Sequence, residues 1–516
     1  MNPPSPEAPR SAALFSLHDR NGAVELARAL LARGDEIWAT SGTCAFLRER
    51  GIAAREVAEV TGFPSLFDGR VKTLHPRVFG GLLADRSNPV HEAERLEYGI
   101  PRIDTLAVNL YPFEATVARE GATLEEALEQ IDIGGVALIR AGAKNFAHVI
   151  VLVDPAQYAQ ALGARDDLGL RRAFATRAFE RTAEYDSAIA RYMEAGLLAN
   201  ELPGSLALTL PIASALRYGE NPQSRAAFYL SRTERLPEQL GGKALSYNNL
   251  LDLDAALRLL VRAFPGGDGA VRAAIVKHTI PCGVAERPTG AQAASAALDA
   301  DRISAYGGIV ALDGPCDANA ARALAGTFLE IVAAPSFDDD ALALLRAKKA
   351  LRIIRFEESL PARLARETRV RSALAGVLAE DDDPAAASET LRVVSKRQPS
   401  DGEWADLRFA WDVVRHVKSN GVVVARDRVT RGMCAGQTNR VSAVAIAAGR
   451  AGEFARGAAC ASDGFFPFAD GLEAAADAGC TAIIAPQGSI RDAEVMAAAD
   501  ERNVALVFST HRYFLH

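Results

Sequence analysis

Short apolar segments alternate with stretches of helical periodicity along this 516-residue chain, and this alternation constrains its fold more than any other feature. The apolar segment 13–16 is followed by a helical stretch at 24–33 and by a second apolar segment at 36–40. The same order recurs at 105–110 and 124–130. Strands that alternate with helices form βαβ units. We therefore predict an α/β fold whose N-terminal domain contains a parallel sheet.

The length of the chain and two linker-like segments predict several domains. A chain of 516 residues exceeds what one ordinary hydrophobic core supports. Residues 1–12 are rich in proline, which predicts a disordered tail, and segment 202–213 combines two prolines and a glycine with little helical period. We therefore predict domains at 13–200 and 201–516, the second of which is long enough for two similar-sized lobes.

Composition narrows the class of protein and its compartment. A net charge of −7 and a pI of about 5.8 argue against a nucleic-acid partner. No apolar run approaches the roughly 18 residues that a membrane span needs, and the N-terminus lacks the charged and apolar regions of a signal peptide. Six cysteines without a CxxC motif are typical of reduced thiols. We expect a cytoplasmic protein with no membrane partner.

A lysine and a histidine, Lys277 and His278, stand side by side where an apolar segment ends. Residues 273–276 predict the end of a buried strand, and Pro281 and Gly283 predict a turn beyond it. Ligands of open α/β sheets collect beyond the carboxyl ends of strands. The pair therefore stands where a site would lie, although polar residues that merely end a strand produce the same pattern.

The N-terminal half carries polar residues in a loop, after an apolar strand, or on a helix that opens with two glycines. These candidate residues are Arg70, Lys72, Thr73, Tyr111, Asp132 and Lys144. Gly134 and Gly135 would let a ligand approach backbone N–H groups at the helix start, where the dipole favours anions. The alternatives are a surface turn for the loop, a half-buried strand end for Tyr111 and a solvated cation for Lys144.

The segment 40–43, Thr-Ser-Gly-Thr, follows one strand and precedes a helix. Hydroxyls and backbone amides at such a helix start can hold a phosphate. An ordinary N-cap by serine or threonine is the alternative interpretation.

Three stretches of the C-terminal half carry further candidates. Arg217 and Tyr218 lie in a turn, and an arginine there suits bidentate binding of a phosphate. Asn420 lies between a helix and a strand, where a C-cap is the alternative role. Phe465 and Asp470 belong to a stretch of three phenylalanines and two aspartates that could form the wall of a site for a flat heteroaromatic ligand, with core packing as the alternative for the rings.

A zinc deaminase would require H-x-E and, further on, P-C-x-x-C. Pro281 and Cys282 are present, but the residue three positions beyond Cys282 is Ala285. Two residues beyond His278 the chain has Ile280 in place of glutamate. The residues that would bind and activate zinc are therefore incomplete, and we predict that the chain binds no metal.

Together these stretches resemble the family of bifunctional purine biosynthesis enzymes that combine AICAR transformylase with IMP cyclohydrolase. The likeness runs from about Leu14 to His516, and the motifs occur in the family's order: DGRVKTLHP, NLYPF, IDIGG, RAGAKN, LRYGENP, KALSYNN, VKHTIPCG, KSN, AGQ, SDGFFPF and RYFLH. The resemblance implies a methylglyoxal-synthase-like N-terminal domain that closes the purine ring. It also implies a C-terminal transformylase region of two cytidine-deaminase-like lobes without the metal, in a homodimer.

The first reaction implied by the resemblance moves a formyl group from 10-formyltetrahydrofolate to the 5-amino group of AICAR. The amine is a poor nucleophile, so a neutral histidine, here His278, suits the role of proton acceptor. Lys277 would stabilise the oxyanion or assist the leaving nitrogen, and Asn420 would orient the amine and carboxamide. The residues implied for substrate binding are Arg217, Tyr218, Phe465, Asp470, Arg512 and His516.

The second implied reaction closes the ring of FAICAR, the formylated product, to IMP with loss of water. Proximity supplies much of this step, and the protein needs an oxyanion site and proton handling. The match assigns the catalytic roles to Lys72, Tyr111, Asp132 and Lys144, with Arg70 and Thr73 beside them and Arg20 and Thr43 as phosphate contacts. A regulatory nucleotide-binding domain is the rival interpretation, but ligand sensing alone does not require all four catalytic residues.

The chain departs from the family at several positions. The family usually has Ser-Val-Ser-Asp-Lys-Thr-Gly where this chain has Ser-Leu-His-Asp-Arg-Asn-Gly at 16–22, and its Ser-Thr-Gly-Gly-Thr loop reads Ala-Thr-Ser-Gly-Thr at 39–43. Both changes fall on the phosphate pocket that the resemblance implies. Further along, Gln223 replaces a histidine, Ile280 replaces an asparagine and segment 379–382 differs, but no proposed catalytic group is lost.

Overall fold

The computed structural model describes residues 11–195, 202–232, 234–264, 269–381 and 389–516. The chain divides into two compact units: the first comprises Met1–Ile212 with Tyr229–Arg235, and the second Ala213–Phe228 with Leu236–His516. Residues 1–10 of the predicted tail, the predicted boundary between residues 200 and 201, and Asp382 of the divergent segment 379–382 all lie outside the described residues. The predicted domain bounds therefore stay predictions.

The first unit contains five strands and ten α-helices among its described residues. Its strands are β1 (Ala12–Leu17), β2 (Glu36–Ala39), β3 (Ala54–Glu56), β4 (Ile103–Asn109) and β5 (Ile150–Leu152). Its helices are α1 (Ala23–Ala32), α2 (Ser41–Arg48), α3 (Val57–Thr61), α4 (Pro76–Leu83), α5 (Pro89–Glu97), α6 (Phe113–Val117), α7 (Leu124–Glu129), α8 (Ile133–Lys144), α9 (Tyr158–Ala161) and α10 (Leu168–Ala195).

The five strands form one parallel sheet in the order β3-β2-β1-β4-β5. The central strand β1 is apolar at five of its six positions, which suits a strand that helices cover on both faces. The predicted α/β fold and the parallel sheet are confirmed. The order of the strands reverses between β1 and β4, and such a switch point forms a crevice at the carboxyl ends of the two strands.

The second unit begins with a small sheet and continues into a large one. Its strands, with β6 starting at the last residue of the first unit's main segment, are β6 (Ile212–Leu216), β7 (Ala226–Tyr229), β8 (Glu238–Gly241), β9 (Val271–Lys277), β10 (Ile280–Arg287), β11 (Gly308–Leu312), β12 (Leu329–Ala334), β13 (Arg352–Arg355), β14 (Arg369–Ala373), β15 (Gly376–Glu380), β16 (Leu391–Val393), β17 (Val422–Arg426), β18 (Val429–Cys434), β19 (Ala459–Ser462), β20 (Ala482–Pro486) and β21 (Ala505–Ser509). Its helices are α11 (Tyr247–Arg258), α12 (Gly290–Ala300), α13 (Arg302–Ala305), α14 (Ala318–Ala325), α15 (Asp339–Arg346), α16 (Leu360–Leu364), α17 (Asp401–Val414), α18 (Arg440–Ala451), α19 (Asp470–Asp477) and α20 (Asp492–Glu501).

Twelve of these strands form one continuous sheet in the order β16-β21-β20-β19-β17-β18-β10-β9-β11-β12-β13-β8. The order is symmetric about the β18–β10 pair, which is antiparallel. Each half starts with an edge strand and a helix and continues with a hairpin and three further strands. The two predicted lobes are therefore two repeats of one motif that share a sheet, and β6 with β7 and β14 with β15 form two separate hairpin sheets.

Alternating side chains divide the core of the second unit into layers. Ala274 and Val276 of β9 face a cluster that includes residues of α11 and α17 and spans both repeats. Ala273 and Ile275 face a separate cluster under α12, α14 and α15, and the second repeat has an equivalent cluster under α18, α19 and α20. The period of two along a strand that is buried on both faces produces this division.

Two glycines at equivalent positions let one helix of each repeat lie directly on its hairpin. A Cβ added at Gly283 in β10 would lie 2.0 Å from the carbonyl oxygen of Ala297 in α12. A Cβ added at Gly432 in β18 would lie 2.0 Å from the carbonyl oxygen of Ala447 in α18. No larger residue fits either position without a shift of the helix. No helix of the described chain is long and apolar enough to cross a membrane.

Candidate active sites

The loop after β1 is tied to the end of β4 at the switch point of the first sheet. The Asn109 side-chain oxygen accepts the N–H groups of His18 and Asp19, at 2.6 and 2.9 Å. The Asn109 side-chain nitrogen donates to the carbonyl of Asp19 at 2.6 Å. The segment that departs from the family at 16–22 is therefore fixed in the crevice where α/β sheets bind ligands.

Lys72 and Tyr111 meet at the same crevice. The Lys72 Nζ donates to the Tyr111 hydroxyl at 3.1 Å. The His18 ring packs edge-on against the Tyr111 ring with 6.1 Å between centroids. An ammonium and a phenol side by side can both donate hydrogen bonds to an oxygen that develops negative charge.

Asp132 is the N-cap of α8, and its carboxylate accepts the N–H of Gly135 at 2.6 Å. Its own N–H donates to the hydroxyl of Tyr185 at 2.9 Å, and that hydroxyl donates to the carbonyl of Gln130. Burial raises the pKa of Asp132, while the Gly135 N–H and the charge of Lys72 act in the opposite direction. The structure therefore brings Asp132 into the electrostatic field of Lys72.

The two glycines of α8 make room for side chains of the chain itself. A Cβ added at Gly134 would lie 2.8 Å from the Thr73 hydroxyl, and one at Gly135 would lie 2.4 Å from the Asp132 carboxylate. Thr73 is buried in this contact. The space over the glycines that we expected a ligand to use is thus filled by Thr73 and Asp132.

The two expected phosphate contacts differ in what their side chains do. The Arg20 guanidinium lies over the start of α2, where a Cβ added at Gly42 would lie 3.1 Å from it. The Thr43 hydroxyl is buried and exchanges hydrogen bonds with the backbone N–H and carbonyl of Leu17, at 3.1 and 3.2 Å. Arg20 faces a helix N-terminus, whereas the Thr43 hydroxyl holds β1 to α2.

Arg70 and Lys144 are not brought to the Lys72–Tyr111 pair by a described contact. The exposed Arg70 forms an ion pair with Glu129. Lys144 lies in the last turn of α8, and twelve residues at 1.5 Å each separate it from Asp132 by about 18 Å. Both ends of α8 open onto a mainly apolar cavity of about 650 Å³, whose lining includes Phe79, Ile133, Arg140, Phe179 and Ile189.

In the second unit, strand registers bring several candidate segments to one edge of the large sheet. Val422 at the start of β17 is opposite Cys434 at the end of β18 and Ser462 at the end of β19. Ala285 of β10 is opposite Val429 of β18, so the β9–β10 turn lies at this same edge. We call it the transformylase edge, after the activity implied for its residues by the sequence.

Lys277 is the last residue of β9, and His278 begins the turn with a φ of 57°. Thr279 also has a positive φ, of 61°. Asp252 of α11 accepts the N–H groups of both turn residues, at 3.3 Å from His278 and 2.6 Å from Thr279. The turn that we expected at Pro281 and Gly283 lies earlier in the chain, at His278 and Thr279. Pro281 and Gly283 belong to β10, because the Asp252 carboxylate closes a two-residue hairpin before them.

The Lys277 side chain leaves the end of β9, and its Nζ donates to the carbonyl of Tyr306 at 2.8 Å. Burial raises the pKa of Asp252, while the hydrogen bonds from the N–H groups of Thr279 and His278 lower it. The imidazole is exposed at the tip of the hairpin, within reach of a ligand.

The equivalent hairpin of the second repeat has the same turn but different residues. Asp406 of α17 accepts the N–H groups of Asp427 and Arg428 at 2.9 and 2.6 Å, and both turn residues have a positive φ. This turn lies at the opposite edge of the sheet, since β17 runs away from the transformylase edge. The hairpin geometry therefore requires an aspartate clamp, but it does not require a lysine followed by a histidine.

Asn420 lies at the transformylase edge with its amide group held on both sides. Its side-chain nitrogen donates to the carbonyl of Gln437 at 2.7 Å, and its oxygen accepts from Arg440. Arg440 also donates to Asp463, whose side chain is fully buried, and to the Ser462 hydroxyl. The alternative of a helix cap does not apply, because α17 ends six residues earlier at Val414.

The remaining C-terminal candidates fall into two groups. Of the three phenylalanines, only Phe466 packs in the core, and Phe465 remains exposed beside the end of β19. Asp470 opens α19 and accepts the N–H of Gly471. Arg217 and Tyr218 contact each other, with the guanidinium 4.7 Å from the ring, and no described contact joins them to the transformylase edge.

The last residues of the chain are bound at the transformylase edge. Tyr513 donates its N–H to the carbonyl of Asp463 at 3.0 Å, and Ser419 donates its N–H to the carbonyl of Leu515 at 2.8 Å. The Arg512 guanidinium lies 4.7 Å from the Phe514 ring, and His516 packs edge-on against the same ring.

Sequence reasoning missed the residues that support the candidates. Asp252, Arg440 and Asn109 bind backbone or side chains of site residues, yet each is an ordinary polar residue in a helix or strand. The sequence did contain one signal of the internal repeat: the Asp-Gly pair at 313–314 recurs at 463–464, and the two pairs follow equivalent strands of the two repeats. The described residues include no group of three or more histidine, cysteine or acidic side chains that could hold a metal ion.

Comparison with known proteins shows similarity along nearly the whole chain. A family model described as AICARFT/IMPCHase bienzyme matches residues 142–450, and one described as MGS-like domain matches residues 22–137. Proteins named "Bifunctional purine biosynthesis protein PurH" from Cereibacter sphaeroides and Jannaschia sp. are each 47% identical, over 98% and 99% of this chain and 99% of their own. The Parasynechococcus marenigrum protein of that name is also 47% identical, over 98% of this chain and 99% of its own. A solved structure titled "Crystal structure of ForH" is 35% identical, with a TM-score of 0.34, and covers 36% of this chain and 97% of its own.

Proposed function

We propose, since this chain belongs to the AICARFT/IMPCHase bienzyme family, that its two units divide the last two steps of IMP synthesis between them. The chain is a bifunctional phosphoribosylaminoimidazolecarboxamide formyltransferase and IMP cyclohydrolase. The observation that carries the division is that the two sets of candidate residues lie in different compact units, with Lys72 and Tyr111 at the switch point of one and His278 and Asn420 at the transformylase edge of the other.

In formyl transfer, the AICAR amine attacks the formyl carbon of 10-formyltetrahydrofolate, and the folate nitrogen leaves. His278 takes a proton from the amine and returns it to the leaving nitrogen, so protons balance and tetrahydrofolate is released. Lys277 stabilises the oxyanion of the tetrahedral intermediate. The support for these roles is the exposed imidazole at the hairpin tip and a turn that does not itself demand these two residue types.

Asn420 is proposed to orient AICAR. Its amide has two N–H donors and two acceptor lone pairs on oxygen. Gln437 takes one donor and Arg440 occupies one acceptor position, so one of each is left for a ligand. A side-chain amide that is fixed in place, with one free donor and one free acceptor, can form hydrogen bonds with the amine and the neighbouring carboxamide of AICAR. Phe465, Asp470 and the terminal segment line the pocket in this proposal.

In ring closure, the carboxamide nitrogen of FAICAR attacks the formyl carbon, and the formyl oxygen leaves as water. Lys72 and Tyr111 donate to that oxygen as it gains charge, and Asp132 accepts a proton from the attacking nitrogen. Water takes one proton from each of the two ligand nitrogens, which balances the dehydration. The 3.1 Å Lys72–Tyr111 contact and the effect of the Lys72 charge on the Asp132 pKa support these roles.

Phosphate binding is proposed to use Arg20 and the backbone amides at the start of α2, with Thr43 shaping the loop. Thr73 and Arg70 are proposed to act from the chain on either side of Lys72, Thr73 by shaping the start of α8 and Arg70 from its exposed pair with Glu129. Lys144 is proposed as the fourth catalytic residue of ring closure, and the support for it is the family resemblance; it lines the cavity along α8, about 18 Å along the helix from Asp132. In the second unit, Arg217 with Tyr218 is proposed to bind the phosphate of AICAR.

The enzyme acts on small molecules, and we propose AICAR, FAICAR and 10-formyltetrahydrofolate as its substrates, without a metal. We further propose that it is a cytoplasmic homodimer. A coupled assay tests the function: purified protein given AICAR and 10-formyltetrahydrofolate should release tetrahydrofolate and IMP in equal amounts. Release of tetrahydrofolate without IMP, or no reaction, would contradict it.

A further inference from the structure

A buried carboxylate, Glu389, accepts hydrogen bonds from four side chains, one of which belongs to the terminal segment. The Glu389 side chain is only 2% exposed. It accepts hydrogen bonds from the Trp411 indole at 2.8 Å, the Ser509 hydroxyl at 2.6 Å, the Arg415 guanidinium at 3.0 Å and the Tyr513 hydroxyl at 3.1 Å. A carboxylate with this many partners fixes the geometry of the groups around it.

Tyr513 is enclosed by the same residues. The Arg415 guanidinium lies 3.9 Å from the centroid of the Tyr513 ring and also donates to its hydroxyl. The Trp411 ring packs edge-on against it, with centroids 5.3 Å apart. We call Glu389, Trp411 and Arg415 the tyrosine cage.

The neighbours of Tyr513 along the chain form a group of their own. The Phe514 ring contacts both the Arg512 guanidinium and the His516 ring. In an extended segment, alternate side chains point to opposite sides. The cage thus holds one side of the terminal segment while the other side carries the residues assigned to the substrate pocket.

Phe514 links the terminal segment to Asn420. A Cβ added at Gly464 would lie 2.7 Å from the Phe514 ring and 2.6 Å from the Arg440 guanidinium. Arg440 donates to the Asn420 side chain. A shift of the terminal segment would therefore move the wall beside the amide that is proposed to orient AICAR, and small displacements in a site cost much of its rate.

We propose that Tyr513, locked in the tyrosine cage, is a positioning residue that sets the register of Arg512, Phe514 and His516 in the transformylase pocket. In this proposal Tyr513 and the cage act through these three residues and not by contact with substrate. The inference rests on the proposed assignment of the terminal segment to formyl transfer. It adds an anchor that sequence reasoning did not find, because Glu389 lies more than 120 residues away from Tyr513 in the chain.

The test uses Tyr513→Phe and Glu389→Gln in the full chain. Each should raise the KM of formyl transfer for AICAR about tenfold with a smaller change in kcat, the scale of one hydrogen bond to a charged group. Ring closure of FAICAR should stay at the wild-type rate. Carboxypeptidase should release the terminal residues faster from both variants than from wild type.

Glu403→Gln is the matched control, because Glu403 is a partly buried carboxylate of α17 that accepts hydrogen bonds from Arg397, Thr481 and Ser400. It should cost stability without raising the KM. Wild-type KM values and carboxypeptidase resistance in both test variants would overturn the inference, as would an equal rise in KM for Glu403→Gln. A wild-type protein without formyl transfer would instead contradict the proposed function, and the carboxypeptidase comparison would still test the anchor.

Discussion

Burial distinguishes the histidine and cysteine side chains that can react with a ligand from those that cannot. His416 is half-buried, and its loss of solvation together with the charge of Arg415 lowers its pKa to about 3, so it stays neutral. His278 is exposed at a hairpin tip and can meet a substrate. Cys282, two residues into β10, has its pKa raised to about 11 by burial, which leaves it a poor nucleophile beside the proposed site.

Asp132 predicts a pH dependence for ring closure. Burial raises its pKa above 3.8, so the carboxylate gains a proton at a higher pH than an ordinary aspartate does. If Asp132 accepts the proton, kcat/KM for FAICAR should fall as the pH falls through that raised pKa. Asp132→Asn should keep the helix cap and lower the closure rate by about 10²–10⁴-fold. An unchanged rate in the folded variant, measured with FAICAR from pH 4 to 8, would exclude this role.

At the scale of single elements, close approach of backbone and side chains determines where each site residue lies. Gly134 and Gly135 in α8 leave the space that Thr73 and Asp132 occupy, and Asp252 and Asp406 close the two equivalent hairpins. These contacts join residues that are 3 to 61 apart in the chain, and only the capping contact of Asp132 is local.

Gly134→Ala tests the packing at the start of α8. The added methyl group would meet the Thr73 hydroxyl, so we expect a loss of about 1–3 kcal/mol in the free energy of unfolding and a slower ring closure. Thr73→Ala in the same chain should recover part of the stability. Gly449→Ala in α18 is the matched control, since nothing lies within 4 Å of the added atom. Equal effects of Gly134→Ala and Gly449→Ala in thermal unfolding would argue against the contact.

Deletion of residues 512–516 tests the role of the terminal segment. We expect formyl transfer to be lost and ring closure to continue, because the segment is bound at the transformylase edge of the second unit. Chain ends often tolerate trimming, which is the alternative outcome. A truncated protein that folds and keeps the wild-type rate of tetrahydrofolate release would refute the assignment.

Comparison of the predicted and observed helices, strands and turns shows which of them can be predicted from the sequence. Periodicity predicted β1, α1, β2 and β4 and the buried end of β9, since these features depend on neighbouring residues. It misplaced the turn after β9, because the prolyl and glycyl residues that signal turns belong to β10 and a distant Asp252 closes the hairpin. The supporting contacts of Asn420 and the tyrosine cage could not be predicted, since they depend on strand pairing across both repeats.

For the whole molecule, the large sheet explains why one hairpin can differ from its equivalent. The two repeats place their hairpins at opposite edges, so the Lys277–His278 turn and the Asp427–Arg428 turn meet different surroundings. Of the two turns, only the Lys277–His278 turn lies at the same edge of the sheet as Asn420 and the terminal segment. The two repeats thus supply equal scaffolds, and the proposed site takes the Lys277–His278 turn from the first repeat and Asn420 with the terminal segment from the second.

The proposal that both reactions proceed without a metal can be tested on the purified enzyme. Elemental analysis should find far less than one zinc per chain, and chelators should leave both rates unchanged, because in the proposed mechanism His278 and Lys277 supply the proton transfer and the charge for formyl transfer. About one zinc per chain, with activity lost on its removal, would contradict the proposed chemistry.

The central claim is that one chain performs two reactions at two separate sites, and two single variants test it most directly. Each is assayed with AICAR plus 10-formyltetrahydrofolate and, separately, with FAICAR. Lys72→Ala should release tetrahydrofolate at the wild-type rate and accumulate FAICAR, whereas His278→Ala should convert FAICAR to IMP at the wild-type rate without formyl transfer. Loss of both activities in either variant, with the fold intact by circular dichroism, would show that the two sets of residues do not form independent sites.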